Sequence, residues 1–317
     1  MPMDPNEVMS PIRKADAALS ELVSNGGYLS ETELPQFVRQ SIKMAELSKK
    51  VRRVLMPSEK MEIPRLRFAE DDFVLHPLTE NAAHPVAERS KPTFGALNLT
   101  AHGFGGQVSI SKQILLANVE HGQLVDTIRS ILYPKIGADM ERIAIQGDTT
   151  SSVPTLAEMN GWLALATAHP VAGGGNRLSD TLLASALRTL PEEYDMGDVA
   201  YMTSKKAKHD WLDSIKSRAT ELGDGTYRNK DGGALGYRGY NVEKYPLWPS
   251  TQGGASNRTT VLYTEFQNLV MGIYSQMELS VHPEPINRQT VIMFDVFMAV
   301  GFEVDDAVVA ITDVLNS

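Results

Sequence analysis

The chain has 317 residues, 42% of them hydrophobic and 22% charged, enough to bury one large core or two smaller ones. It contains no cysteine, which excludes disulfides and thiolate metal sites, and its net charge of -9 speaks against a dedicated nucleic-acid binder. No apolar run reaches the length of a bilayer span, and Met1-Pro2-Met3-Asp4-Pro5 lacks the basic segment and apolar core of a secretory signal.

Residues 1–64 read as an arm rather than a domain. Ser30 and Glu33 form a capping box that predicts a helix running to about Val54 and ending before Pro57. Its apolar positions, Phe37, Ile42, Ala45 and Val51, are sparse, so such a helix needs another surface to be stable. From Arg39 to Arg67 nine basic residues stand against three acidic ones, whereas from Val261 to Ser317 eight acidic residues stand against Arg288 alone. Two readings fit this imbalance. One is a solvated basic face and an acidic tail; the other is a basic arm set on an acidic neighbouring subunit or facing DNA.

Residues 65–106 read as extended. One possible strand holds Leu66, Phe68 and Phe73-Val74-Leu75; another runs from Phe94 to Ala101 with Leu97, Leu99 and Ala101 on one side. A two-stranded ribbon is barely stable by itself, so packing on another chain is expected. Val108-Ser109-Ile110-Ser111 then leads into a long helix. Leu124, Ile128 and Ile131, then Ile136, Met140 and Ile143, fall at helical spacing, Pro134 should kink the helix between them, and Gly147 is its expected C-cap.

Residues 162–281 read as an α/β-like unit. Ser179 starts a helix with Leu182, Leu183, Ala186, Leu187 and Leu190 inward, ending near Pro191. Val199-Ala200-Tyr201-Met202 is a short buried strand, and Thr203 or Ser204 caps a helix to about Leu222. Tyr240-Asn241-Val242 and Val261-Leu262-Tyr263 are further strands. The chain ends in β-structure: Met277, Leu279 and Val281 alternate, Thr290–Val300 is apolar except for Asp295 and reads as a strand covered on both faces, and Ala307–Ile311 gives the last strand. Asp295 is open to three readings: an inward, hydrogen-bonded structural aspartate, a solvent-facing ribbon residue, or a reactive acid.

Little in the sequence suggests turnover. No phosphate-binding Gly-x-x-x-x-Gly-Lys-Ser/Thr loop and no Gly-x-Ser-x-Gly elbow occur, and the glycines at 173–175 and 223–236 read as loop flexibility. Seven histidines are scattered, with His76 and His84 the nearest approach to a metal pair. No cofactor and no metal are expected.

Several segments in order resemble the major capsid proteins of tailed phages with the HK97 fold. Lys91-Pro92-Thr93-Phe94 followed by Val108–Ser111 is similar to the return strand of that family's extended loop and its approach to the spine helix. Asp139-Met140-Glu141-Arg142-Ile143-Ala144-Ile145-Gln146-Gly147-Asp148 is similar to the end of the spine helix, and Asn160-Gly161-Trp162-Leu163 to the step into the axial domain. Leu235-Gly236-Tyr237-Arg238-Gly239-Tyr240-Asn241-Val242 and Val261-Leu262-Tyr263-Thr264-Glu265-Phe266 resemble later steps. No one motif is specific; their order is.

The resemblance implies an α+β chain with an N-terminal arm (1–64), an extended loop (65–106), and a peripheral domain with the spine helix (107–161). An axial domain (162–281), peripheral strands (282–303) and a C-terminal strand returning to the axial domain (304–317) would follow. It implies a non-enzymatic virion protein, made in the host cytoplasm, that assembles into hexamers and pentamers of an icosahedral head around double-stranded DNA held without sequence specificity. Scaffolding, portal and decoration proteins are the expected partners, and no membrane. With about sixty residues before the loop, a separate scaffolding protein or none is expected. Lys49, Lys50, Arg52, Arg53, Lys91 and Phe94 are the candidate inter-subunit contacts. Some relatives crosslink subunits through lysine and asparagine. Here Lys91 lies near the loop position, but the strand around Thr290 offers no asparagine nearer than Asn287, so crosslinking is not expected. The alternatives are an encapsulin-like compartment, which shares the fold, and a soluble α/β enzyme formed by residues 162–281.

Overall fold

The computed structural model describes residues 45–67, 75, 92–117, 124–195, 198–216, 236–252, 255–274 and 278–316. The capping box at Ser30, the strand at Phe68 and Phe73-Val74, the histidines His76 and His84, Lys91, Met277 and the glycines at 223–233 lie outside these residues.

The strands are β1 (Arg52–Leu55), β2 (Lys60–Arg67), β3 (Thr93–Thr100), β4 (His102–Ser111), β5 (His169–Ala172), β6 (Val199–Thr203), β7 (Gly236–Tyr237), β8 (Tyr240–Lys244), β9 (Thr251–Gln252), β10 (Ala255–Ser256), β11 (Arg258–Glu265), β12 (Leu269–Ile273), β13 (Glu278–Glu284), β14 (Gln289–Phe302) and β15 (Val309–Leu315). The helices are α1 (Lys112–Ala117), α2 (Leu124–Gln146), α3 (Pro154–Ala157), α4 (Trp162–Leu165), α5 (Asp180–Thr189) and α6 (Lys205–Lys216). The chain divides into a larger unit (46–102, 142–275 and 297–317) and a smaller one (1–45, 103–141 and 276–296).

The larger unit is built on a six-stranded sheet of order β5-β15-β11-β6-β8-β7. β6 and β8 are parallel, Tyr201 opposite Val242, and α6 is the crossover between them. Ser204 caps that helix, its Oγ accepting from the Ala207 N–H at 3.1 Å. β6 is buried at every position because it is covered on both faces. Val199 and Tyr201 meet Leu183 and Ala186 of α5 and Trp211 of α6 in one core. Two polar atoms buried there are satisfied: the Tyr201 hydroxyl donates to the Leu183 carbonyl at 2.8 Å, and Trp211 Nε1 donates to Asp180 Oδ1 at 2.7 Å. Burial first, then nearby tyrosines and Asp195, push the Tyr201 phenol above its ordinary pKa.

A second sheet in this unit joins β1, β12 and the last part of β14. β1 is parallel to β12, Arg52 opposite Val270 and Leu55 opposite Ile273, while β12 is antiparallel to β14, Leu269 opposite Phe302. The expected helix to Val54 is therefore corrected at its end. Leu47–Lys49 is one turn of 3-10 helix and Arg52–Leu55 is a strand, because its backbone groups find the free edge of β12. β2 and β3 form a two-stranded ribbon, in register from Lys60 opposite Thr100 to Arg67 opposite Thr93. The second strand is where it is expected, but the first is Lys60–Arg67, earlier than the expected Leu66–Leu75 and largely within the segment read as the arm.

In the smaller unit the first part of β14 pairs with β13, Asp295 opposite Glu278 and Gln289 opposite Glu284. The expectation of a strand covered on both faces is corrected here: Met293, Asp295 and Phe297 are exposed in alternation, while Ile292, Val296 and Met298 are buried. Of the three readings of Asp295, the exposed one fits. Its Oδ1 lies 2.6 Å from where a Cβ on Gly105 would sit, so the carboxylate lies across a glycine of β4.

α2 remains one helix through Pro134. It ends where Gly147 N donates to the Ile143 carbonyl at 2.8 Å. Asp148 then folds the following turn, accepting from Thr150 N at 2.8 Å and Thr150 Oγ1 at 2.6 Å. The Thr150 hydroxyl, and then its N–H, hold the Asp148 carboxyl below its ordinary pKa. That contribution is complete above the ordinary carboxylate range and fades as pH falls through the depressed value.

The two glycines of this region act in opposite ways. A Cβ at Gly147 would lie 2.5 Å from the Met159 carbonyl oxygen and 2.8 Å from that of Ile143, both backbone atoms, whereas one at Gly137 would meet nothing within 4 Å. Gly147→Ala should lower stability by roughly 1–3 kcal/mol, and Gly137→Ala should raise it by roughly 0.5–1 kcal/mol. Urea unfolding of the two variants checks the pair, and equal signs would contradict this geometry.

Candidate assembly surfaces

The basic root of the arm is tied to its own subunit. Lys50 Nζ reaches Glu243 Oε2 at 2.5 Å and lies 4.7 Å from the centre of the Phe266 ring. Tyr245 donates to the same Glu243 oxygen at 2.5 Å, and Gln267 Nε2 donates to the Lys50 carbonyl at 3.2 Å. Arg52 Nη1 pairs with Glu303 Oε1 at 2.6 Å, and Arg53 Nε donates to the Ser48 carbonyl at 2.8 Å. Beneath them Leu47 and Val51 are buried. Of the four basic candidates, Lys49 and Arg53 are exposed with no ion pair among the described residues, and of these Arg53 is held by its bond to the Ser48 carbonyl. The sequence signal located the cluster, but its partners Glu243 and Glu303 lie too far along the chain for spacing to find.

The ribbon has two halves. Near its base, Leu97, Leu99 and Ala101 are buried with Met56, Val270 and Ala299. This corrects the expectation that these residues need another chain. Further out, Leu66 and Phe94 stand directly opposite each other in the register, and both are uncovered, at 61% and 78% exposure. These two large apolar side chains form one small exposed apolar patch. Phe94 was legible as a candidate; Leu66, its cross-strand partner, was not.

Two further exposed apolar residues escaped the sequence reading. Leu55 lies on β1, and Ile286, 96% exposed, sits at the tip of the β13–β14 hairpin beside Arg288, whose φ is 49°. The larger unit also carries an open cleft of about 780 Å³ whose lining includes Asp148, Thr150, Ser151, Val153, Leu163 and Pro249. Asp148, Thr150 and Ser151 are engaged in the turn after α2, and Gln146 Nε2 donates to the Leu247 carbonyl at 2.5 Å. Among the described residues no cluster of three or more His, Cys, Asp or Glu side chains could hold a metal ion.

Lys50→Glu should cost the isolated subunit about 1 kcal/mol by placing a like charge beside Glu243. Lys49→Glu should change stability by less than about 0.5 kcal/mol. Urea unfolding at low ionic strength separates the two, and equal losses would deny the arm root its internal tether.

Comparison with known proteins places this architecture. The model of the phage capsid family matches residues 26–313. The putative prophage capsid protein YqbE of Bacillus subtilis (strain 168) is 24% identical over 306 residues, covering 96% of this chain and 97% of that protein. A chain in the structure of the satellite phage P4 procapsid including size determination (Sid) protein matches with a TM-score of 0.62 at 13% identity, over 95% of this chain and 97% of that one. The holo-SrpI encapsulin complex from Synechococcus elongatus PCC 7942 matches with a TM-score of 0.57 at 10% identity, over 93% of this chain and 96% of that one. The fold is thus the α+β HK97-type capsid fold, with a long helix, a protruding ribbon and a sheet-based domain. The chain belongs to the phage capsid family and is a major capsid protein, a self-assembling structural component of the virion shell.

Proposed function

We propose that this capsid protein forms hexamers and pentamers that close an icosahedral head around double-stranded DNA, assembled in the host cytoplasm. The observation that carries the reading is the ribbon. Its base is seated on its own subunit, and its outer pair Leu66–Phe94 is uncovered. A sister subunit is the natural cover, since shell interfaces of the obligate kind bury roughly 2,000 Å² or more.

Within this reading residues 1–64 act as the arm, 65–106 as the extended loop, 107–161 and 282–303 as the peripheral domain, and 162–281 with 304–317 as the axial domain. Phe94 and Lys91 belong to the loop's contact with a neighbour, and Lys49 to that of the arm. Lys50, Arg52 and Arg53 serve the arm indirectly, by holding its root. The DNA would be held by confinement and counterions without sequence specificity, which a net charge of -9 does not oppose. Scaffolding, portal and decoration proteins are the further partners. The likeness to an encapsulin keeps a cargo compartment as the second reading.

Expressed alone or with its scaffold, the protein should give closed shells of uniform size by negative-stain microscopy, and phage particles should protect double-stranded DNA from nuclease. A compact monomer under all conditions would refute the shell, and protected protein cargo in place of DNA would favour the compartment. Phe94→Ser should raise the concentration needed for assembly by about tenfold, the equivalent of ~1.4 kcal/mol per contact. Charge reversal at Lys49 should impair assembly more at low salt than at high salt, whereas equal impairment would deny it an electrostatic role.

A further inference from the structure

We infer that the direction in which the β2–β3 ribbon leaves the subunit is set inside the subunit by a glycine socket, with Gly272, Gly301 and Arg65 as positioning residues. The socket lies on one face of the paired strands β12 and β14, where Gly272 stands opposite Ala299 and Gly301 opposite Val270. A Cβ at Gly272 would lie 2.5 Å from Met56 Sδ and 3.4 Å from Leu99 Cδ1. A Cβ at Gly301 would lie 3.0 Å from Leu97 Cδ1 and 3.2 Å from Leu99 Cδ2. Two side chains are thus missing from one sheet face, and Met56 together with two ribbon leucines fills the depression. Leu99 is only 1% exposed there. Glycine in a strand interior ordinarily weakens it, so its presence at both positions marks a close approach.

A second hold lies further along the ribbon. Arg65 Nη2 donates to the carbonyl oxygen of Phe302, 3.1 Å away, which clips β2 to the last residue of β14. Arg65 stands opposite Gly95, and the next pair outward is the exposed Leu66–Phe94. At about 3.4 Å per residue, the socket at Leu99 and the clip at the Arg65–Gly95 pair are separated by about 14 Å. One hold would allow the ribbon to swing; two holds that far apart fix its angle. The ribbon therefore presents Leu66 and Phe94 in a preset direction, and association does not bear the entropy of finding it.

The inference rests on the ribbon's role in assembly, but its test does not. The chain has no cysteine, so Leu66→Cys and Lys244→Cys can carry a pair of spin labels selectively. The distance distribution, measured by pulsed electron spin resonance on unassembled subunits, should be one narrow peak. Gly301→Val should shift that peak or widen it about twofold, Arg65→Ala should widen it, and Phe94→Ser should leave it unchanged. In the unlabelled protein Gly301→Val and Arg65→Ala should also raise the concentration needed for assembly. A broad distribution without these changes, or an unaltered peak in both variants, would overturn the inference. Should Gly301→Val not fold, Arg65→Ala decides, since its clip lies outside the buried cluster. If Phe94→Ser assembles normally while Arg65→Ala widens the peak, the ribbon's contact role fails and the socket stands.

Discussion

A ribbon of two strands has no interior, and the architecture of this subunit follows from where that ribbon finds one. The near half borrows it from the sheet of β12 and β14, which lacks two side chains where Leu97 and Leu99 settle on its face. The far half borrows nothing from the described part of its own subunit and is left with Leu66 and Phe94 in water.

The arm shows a similar division of labour. Its basic residues suggest, on composition, a surface meant for a partner, yet Lys50 and Arg52 are matched by Glu243 and Glu303 of the same unit. Exposed ion pairs are individually weak, and the stronger hold is the β1–β12 pairing together with the burial of Leu47 and Val51. The charges select where the strand lies more than they stabilise it. What the root leaves exposed is a smaller basic surface, with Lys49 and Arg53 as its members.

Elements whose signals are local were readable in advance. The helix of Leu183 and Ala186, the strand of Tyr201, the capped helix after Ser204 and the return strand of Leu97 and Leu99 each carry a periodicity or a cap within their own residues. The segment around Val51 reads as helix on its own residues because nothing near it announces a parallel partner some two hundred residues on, at Val270–Ile273. β14 was expected to be covered throughout because its run of apolar residues hides the alternation in which Met293 and Phe297 face outward with Asp295. The last strand, expected at Ala307–Ile311, begins at Val309, since Asp305–Ala307 close a 3-10 turn, and continues to Leu315 past Asp313, whose backbone is left-handed and whose carboxylate meets Arg258. The contact residues were legible as types but not as pairs, because the partners of Phe94, Lys50 and Arg52 are set by register and tertiary distance.

The order of the six-stranded sheet also bears on how the subunit is made. β15 is the last of its strands to leave the ribosome, yet it lies in the interior, between β5 and β11. Until it arrives, β5 has no hydrogen-bonding neighbour among the described strands, and β11 shows an open edge. Closing a gap of well over a hundred residues is a slow, high-contact-order step, and open edges invite pairing with other chains. The nascent subunit is therefore exposed to mispairing until translation has passed this strand, a period in which a chaperone has an unfinished sheet to shield.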